Sequence, residues 1–155
     1  MTDHTLAGKN VLIAGGAKNL GGLIARQVAQ AGANVAIHYN SDSSRSDAEQ
    51  TLAAAEAAGG KAAIFQGDLT VPENVARLFA DAERAIGKID VAVNTVGKVL
   101  RKPIVETTEE EYDSMFDINA KAAYFFIKEA GKNLADGGKI ITIVTALLAA
   151  FTDGY

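Results

Sequence analysis

The sequence of 155 residues contains no cysteine, only two histidines and two prolines, and no block of basic residues. Without cysteine the chain forms neither a disulfide framework nor a thiolate metal site, and two imidazoles, one of them at His4, argue against a multi-histidine metal site. The net charge of −4 argues against a nucleic-acid-binding surface. No apolar run reaches the roughly 18 residues of a membrane helix, and the first nine residues lack the apolar core of a signal peptide. These absences predict a globular, cytoplasmic protein.

Short β-branched runs alternate with longer alanine-rich segments, which is the pattern of βαβ units. Strands are predicted at about 11–14, 35–39, 62–65, 91–93 and 140–144. The helices between them are predicted at about 22–31, 46–58, 72–86 and 109–134. Capping boxes at Ser46 and Thr108, each followed three residues later by a glutamate, mark two helix starts. Right-handed crossovers make a doubly wound parallel sheet, with helices on both faces, the economical arrangement.

A glycine-rich segment, GGAKNLGG at 15–22, connects the first predicted strand to the first helix. Backbone N–H groups at such a helix N-terminus can hold a pyrophosphate, and glycine allows the close approach. The spacing differs from G-x-G-x-x-G, and Gly22-Leu23 replaces the Lys-Ser/Thr of a P-loop, which disfavours an ATPase or a GTPase. An ordinary strand-to-helix turn is the alternative for this segment alone.

Together with two later motifs, this segment resembles the short-chain dehydrogenase/reductase family. The family pattern Thr-Gly-x-x-x-Gly-x-Gly is similar to residues 14–21, with Ala14 in place of threonine and Asn19 in place of the middle glycine. Asparagine is the non-glycine residue that best tolerates left-handed backbone, so the turn can survive. Two further segments are similar to the family's Asp-Leu/Val and Asn-Asn-Ala-Gly motifs: Gly67-Asp68-Leu69 and Asn94-Thr95-Val96-Gly97. Taken singly, each motif has an ordinary structural interpretation as well: the first as an acid in a turn, the second as a polar segment that ends a strand.

The resemblance implies one dinucleotide-binding domain over residues 1–155, with strand order 3-2-1-4-5, truncated relative to the complete family fold. It also implies a set of cofactor-binding residues at the carboxyl ends of the strands. These are Gly15, Ala17, Lys18, Asn19, Leu20, Gly21, Tyr39, Asn40, Ser41, Asp68, Leu69, Asn94, Val96 and Gly97.

The residues at the end of the second strand favour NADP over NAD. An NAD site usually has a carboxylate there to accept from the ribose 2′-OH, and no acid stands at 39–41. Lys18 precedes the middle-glycine position, where NADP-using members of the family often carry a basic residue. Asp42 is the alternative ribose partner if the strand end slips. Arg45 is either a second phosphate partner or, as we favour, a solvated residue at a helix start.

The resemblance assigns catalytic roles to Asn119, which would order a proton-relay water, and to Thr145, whose hydroxyl would bind the substrate oxygen. Asn119 lies on one helical stripe with several apolar residues, and we interpret this stripe as part of the core. The alternative for Asn119 is a buried amide whose hydrogen bonds are made to neighbouring backbone groups. The other members of the stripe are Tyr112, Met115, Phe116, Ala123, Phe126 and Leu134. The family's acid/base pair, Tyr-x-x-x-Lys, follows the fifth strand, and we expect the chain to end before it, with Tyr155 not catalytic.

The function implied is hydride transfer between NADP(H) and a small-molecule carbonyl or secondary alcohol. The alternative is a catalytically incomplete nucleotide-binding or regulatory domain. A flavodoxin-like signalling domain would need acidic residues at the end of the first strand, where Ala14 and Gly15 stand. The resemblance further implies a homo-oligomer formed through the long helix at 109–134, where Ala120 and Ala130 would allow close approach. Nucleic acid and membranes are not expected partners.

Overall fold

A computed structural model of the protein describes residues 5–145. Five parallel strands form one sheet in the order β3-β2-β1-β4-β5, which confirms the predicted doubly wound arrangement. The strands are β1 (Asn10–Ala14), β2 (Asn34–Tyr39), β3 (Ala62–Gln66), β4 (Ile89–Asn94) and β5 (Leu134–Thr142). The helices are α1 (Asn19–Gln30), α2 (Arg45–Ala57), α3 (Pro72–Ile86), α4 (Glu109–Phe116) and α5 (Ala122–Asn133).

The core lies in two layers, one on each face of the sheet. Alternate residues of the fully buried β1 supply both layers, because successive side chains of a strand point to opposite faces. Val11 and Ile13 pack with the layer that includes apolar residues of α1 and α2. Leu12 packs on the other face with the layer of α3 and α5, where the rings of Phe79 and Phe126 lie 5.1 Å apart between centroids.

Two helix starts follow the sequence signals. Pro72 occupies the first turn of α3, where its missing N–H costs nothing, and the helix ends before Gly87, which has a φ of +101°. The capping box of α4 is present. Glu111 N donates to Thr108 Oγ1 at 3.3 Å, and Thr108 N donates to the Glu111 carboxylate at 2.9 Å.

Two other helix starts differ from the prediction. A 3₁₀ turn at Asp42–Ser44 leads directly into α2, which begins at Arg45. The predicted capping box at Ser46 is therefore wrong, because Ser46 already lies inside the first helical turn. The first helix begins at Asn19 rather than at Gly22, since helical hydrogen bonding starts within the glycine-rich segment, where Gly22 N donates to Lys18 O at 2.9 Å.

The predicted long helix is interrupted by a π-helical turn at Asp117–Lys121 between α4 and α5. A π turn changes the angular position of the residues that follow it, so the predicted stripe does not keep to one face. Phe126 is fully buried, whereas Tyr112 and Phe116 are more than half exposed. The prediction that the whole stripe is core is therefore wrong for α4, and the helical run ends at Asn133 rather than at Leu134.

Strand β5 begins earlier and ends earlier than predicted. Its pairing starts with Leu134 opposite Ile89 and, after a register shift, continues to Thr142 opposite Asn94. Thr145 consequently lies beyond the strand. Among residues 5–145, no helix combines the length and the apolar character needed to cross a membrane.

Candidate functional site

A cleft of about 440 Å³ opens at the carboxyl ends of β1, β2 and β4. The chain runs from β1 to one side of the sheet and then returns to β4 on the other side, so the cleft lies at the switch point where open α/β sheets bind ligands. Most of the predicted cofactor residues line it: Gly15, Ala17, Lys18, Asn19, Leu20, Gly21, Tyr39, Asn40, Leu69, Val96 and Gly97. The sequence did not single out five other lining residues: His38, Ser44, Thr95, Lys98 and Ile118.

The loop at 15–22, here called the phosphate loop, has the backbone conformation that its sequence predicts. Asn19 is the one non-glycine residue with positive φ in the described range, at +50°, as expected for asparagine at the middle-glycine position. A side chain at Gly21 would overlap the carbonyl oxygen of Gly15. Helix α1 has no side-chain cap and no acid in its first turn, so its N-terminal N–H groups can receive an anion.

Two threonines bond carbonyl groups of the phosphate loop and of the residue that precedes it. Thr95 Oγ1, at the end of β4, donates to Ala14 O at 2.8 Å and reaches Gly15 O at 3.2 Å. The buried Thr51 of α2 donates its hydroxyl to Ala17 O at 2.7 Å and accepts from Arg26 Nη1 at 3.2 Å. These carbonyl oxygens are thereby paired with hydroxyl donors of the protein.

His38 is a third residue that bonds to the phosphate loop. Its Nδ1 accepts from Gly15 N at 3.2 Å, its Nε2 donates to Gly67 O at 2.7 Å, and its backbone oxygen accepts from Gly16 N at 2.9 Å. The residue is 2% exposed. Burial lowers the pKa of His38, and the hydrogen bond to Gly67 and the charge of Asp68 oppose this shift only in part. The imidazole is therefore neutral at neutral pH, with its proton on Nε2.

The end of the cleft near β2 has no carboxylate among its lining residues. Asn40 and Ser44 line it, whereas the predicted Ser41 does not, because the 3₁₀ turn brings Ser44 round instead. The hydroxyl of Ser41 instead hydrogen-bonds that of Ser43 at 2.9 Å. Asp42 is exposed and lies outside the lining.

The cation predicted to bind a phosphate here has an acidic neighbour. Lys18 Nζ lies 3.0 Å from Asp47 Oδ2. Arg45 points elsewhere and pairs with Glu49 at 3.7 Å, both side chains being 59% exposed. This arrangement favours the solvated interpretation of Arg45 and leaves Lys18 as the basic residue at this end of the cleft.

Asp68 and Asn94 support the cleft without lining it. Asp68 Oδ1 accepts from the N–H and the hydroxyl of Thr70, at 2.9 and 2.8 Å, so it closes a turn after β3. The buried Asn94 accepts from Val96 N at 3.0 Å through Oδ1 and shapes the loop after β4. An adenine contact by Asp68 stays a prediction.

Asn119 lies in the π-helical turn and is exposed, not buried. Its Oδ1 accepts from Lys98 N and its Nδ2 donates to Lys98 O, both at 2.9 Å. The side chain therefore fastens the loop after β4 to the helix, beside the lining residues Lys98 and Ile118. Thr145 is exposed beyond the end of β5, and Tyr155 lies outside the described residues.

The spacing Tyr-x-x-x-Lys also occurs within α5, at Tyr124 and Lys128. Tyr124 is 67% exposed, and Lys128 Nζ lies 5.1 Å from the centroid of the Phe125 ring. Neither residue lines the cleft. This pair precedes β5, whereas the family pair follows it, so the match is one of spacing only. Over residues 5–145, no group of three His, Asp or Glu side chains is placed to hold a metal.

Comparison with known proteins gives consistent matches along the chain. A family model described as enoyl-(acyl carrier protein) reductase matches residues 15–153. A hydroxynaphthalene reductase-like protein, Arp2 of Metarhizium brunneum, is 35% identical over 140 residues, which are 90% of this chain and 52% of that protein. The chain spans about half the length of the curated relatives it matches.

Solved structures agree with these sequence matches. A proposed dehydrogenase from Burkholderia cenocepacia, solved with bound NADP, is 63% identical with a TM-score of 0.94, over 98% of this chain and 58% of that one. A short-chain dehydrogenase from Oenococcus oeni is 50% identical with a TM-score of 0.81, over 94% and 66%. A blue fluorescent protein from a metagenomic library, in complex with NADPH, is 34% identical with a TM-score of 0.87, over 93% and 58%.

Proposed function

The chain belongs to the short-chain dehydrogenase/reductase family, and on that premise we propose that it binds NADP(H) in the cleft and serves hydride transfer to or from a small carbonyl or secondary alcohol. The observation that carries the proposal is the phosphate loop. The carbonyl groups of Gly15 and Ala17 accept hydrogen bonds from threonine hydroxyls, while residues of the uncapped N-terminus of α1 line the cleft. This arrangement suits a pyrophosphate.

The remaining lining residues would hold the two ends of the cofactor. Lys18, Asn40 and Ser44 offer a cation, an amide and a hydroxyl for a 2′-phosphate, and no lining carboxylate would repel it. Val96 and Gly97 stand at the end of β4, near the Asn119 turn, on the side proposed for the nicotinamide. The nicotinamide supplies the hydride chemistry when bound, and the protein positions it.

Asn119 and Thr145 are proposed as the catalytic residues of the described range. Both polar atoms of the Asn119 amide already bond to the backbone of Lys98. Because Oδ1 has a second lone pair, the Asn119 side chain would still be able to accept a hydrogen bond from a proton-relay water while it keeps the turn in place. The Thr145 hydroxyl would hydrogen-bond the substrate oxygen.

The second candidate is a nucleotide-binding or regulatory domain without turnover of its own. It is favoured by one observation: within residues 5–145, the only Tyr-x-x-x-Lys spacing lies on α5, away from the cleft. An ammonium near the tyrosine is what lowers the phenol pKa for acid/base work near neutral pH. Cofactor binding without turnover would support this candidate.

Titration by cofactor fluorescence tests the shared part of both candidates. NADPH is expected to bind more tightly than NADH to the wild-type protein, and binding is expected to be lost in Gly21→Ala, whose Cβ would overlap Gly15 O. Ser46→Ala, at an exposed position that does not line the cleft, is the control. NADH binding equal to or tighter than NADPH binding would contradict the NADP assignment.

Self-association through α4 and α5 is a further part of the proposal. Tyr112, Phe116, Tyr124 and Ile127 expose between 45% and 67% of their surface on these helices. Ala120 is exposed as predicted, but Ala130 is fully buried and cannot contribute to a contact. A cytoplasmic location stays a prediction.

A further inference from the structure

We propose that His38 is a positioning residue of the cofactor site, whose neutral imidazole fastens the phosphate loop to the loop that follows β3. The inference rests on the proposed function, because its consequence is cofactor affinity. His38 lies between two cavities, the cleft and a smaller one of about 190 Å³ lined by residues of β3 and α3. Its two ring nitrogens bond to Gly15 on one side and Gly67 on the other.

Only one protonation state and one tautomer satisfy both bonds. The Gly15 N–H needs an acceptor, so Nδ1 must be unprotonated, and the Gly67 carbonyl needs a donor, so Nε2 must carry the proton. A cationic imidazole would turn a second N–H toward the Gly15 N–H and break that bond. The other neutral tautomer would break both bonds.

The position of His38 makes the bonds matter for the cofactor. A fully buried parallel strand is ordinarily apolar, and an imidazole there is tolerated only when its polar atoms are paired. Gly15 opens the phosphate loop in left-handed conformation, with φ +75°. Gly67 immediately precedes Asp68 and Leu69, the segment predicted at the adenine. One side chain thus fixes the two loops that flank the β2 end of the cleft.

Several charged groups lie near the imidazole and influence the pH at which it is protonated. Asp68 follows the loop bonded to Nε2, and its charge favours the protonated form. Arg77 and Asp81 of α3 line the smaller cavity with His38, and Lys18 of the phosphate loop lines the cleft with it. Burial outweighs the charge of Asp68 and the hydrogen bond to Gly67 and keeps the pKa of His38 below its usual value.

Three substitutions separate the two bonds from the ring volume. His38→Asn places an amide oxygen near Nδ1 and can keep the Gly15 bond. His38→Gln places an amide nitrogen near Nε2 and can keep the Gly67 bond. His38→Phe keeps a ring and loses both bonds. Because a buried N–H left unpaired carries a full desolvation penalty, we expect NADPH affinity to fall about tenfold or more in His38→Phe and distinctly less in His38→Asn.

The pH dependence of NADPH affinity is a second test, because a side chain that only fills space would not make the affinity depend on pH. The wild-type affinity for NADPH should fall as pH is lowered toward the depressed pKa of His38, more steeply than in His38→Asn, which cannot titrate. The 2′-phosphate of NADPH titrates near pH 6 as well, but it contributes equally to both proteins. His4→Gln removes the other imidazole and should leave the wild-type profile unchanged.

Measurements on the protein without cofactor keep this inference separable from the proposed function. The ring ¹⁵N shifts should show an unprotonated Nδ1, and exchange of the Gly15 amide should quicken in His38→Gln but not in His38→Asn. If wild type fails to bind NADPH, the proposed function falls, while these two readouts still decide how His38 holds the loop. The inference would be overturned if His38→Gln and His38→Phe bound NADPH as tightly as wild type, with the same pH profile and the same protection of the Gly15 amide from exchange. If His38→Phe does not fold, the contrast between His38→Asn and His38→Gln decides it.

Discussion

The ion pair between Lys18 and Asp47 is expected to control how strongly the protein prefers NADPH over NADH. Their charged atoms lie 3.0 Å apart, and the two side chains are 50% and 38% exposed. An ion pair this exposed contributes about 0–1 kcal/mol, since water and salt screen it. A 2′-phosphate, with about −1.5 to −2 charges at neutral pH, competes with Asp47 for the same ammonium.

The size of the effect follows from the difference between the two partners. A hydrogen bond to a charged group contributes about 1.5–3 kcal/mol. Giving up the bond to Asp47 costs up to about 1 kcal/mol, which leaves roughly 1–2 kcal/mol from Lys18 in favour of the phosphorylated cofactor. Lys18→Ala should therefore weaken NADPH binding by about 5–30-fold and leave NADH binding almost unchanged. Asp47→Asn should act in the opposite direction and tighten NADPH binding by up to about fivefold.

The assay is a fluorescence titration of wild type, both single variants and the double variant with each cofactor at one fixed ionic strength. The double variant should resemble Lys18→Ala, because Asp47 acts on NADPH through Lys18. Arg45→Ala is the matched control, since Arg45 is a nearby exposed cation that does not line the cleft. The reasoning is refuted if Lys18→Ala weakens NADH as much as NADPH, or if Arg45→Ala gives the larger effect.

Three further outcomes are expected. The purified 155-residue chain should oxidise NADPH with no member of a carbonyl panel, and turnover that Tyr155→Phe abolishes but Tyr124→Phe preserves would show that Tyr155 is catalytic. The free energy of unfolding should fall as pH drops below about 6.5, because the unfolded chain protonates His38 while the folded chain, with its lowered pKa, does not until lower pH; denaturant titrations of His38→Asn should show a smaller fall. Sedimentation at micromolar concentration should reveal self-association, which Phe116→Lys at an exposed position of α4 should weaken; a monomer in wild type would contradict the proposed interface.

The parts of the site that the sequence predicts are those encoded within short segments. The left-handed turn at Asn19 and the helix start at Pro72 depend on neighbours along the chain, and both appear as expected. The strand order follows from crossover handedness applied to a regular alternation of strands and helices. The position of the cleft can then be predicted, because the carboxyl ends of parallel strands lie at the same edge of the sheet.

The supports of the phosphate loop could not be predicted in this way. His38, Thr51 and Thr95 reach the loop from positions 23, 34 and about 80 residues away in sequence. The pairing of β2 and β4 on either side of β1 brings His38 and Thr95 to the loop. The packing of α2 against α1 brings Thr51 there. A histidine within an apolar strand was the available signal for one of them. The threonine at the second asparagine position of the family motif was the signal for another.

These supports explain why the departure from the family pattern at Asn19 leaves the loop intact. The bonds that hold the loop attach to Gly15, Gly16 and Ala17 on its strand side and none of them depends on the side chain at 19. That position must supply only left-handed backbone, which asparagine adopts at small cost. Differences in cofactor preference should therefore arise at Lys18 and Ser44, whose side chains line the cleft, rather than in the turn itself.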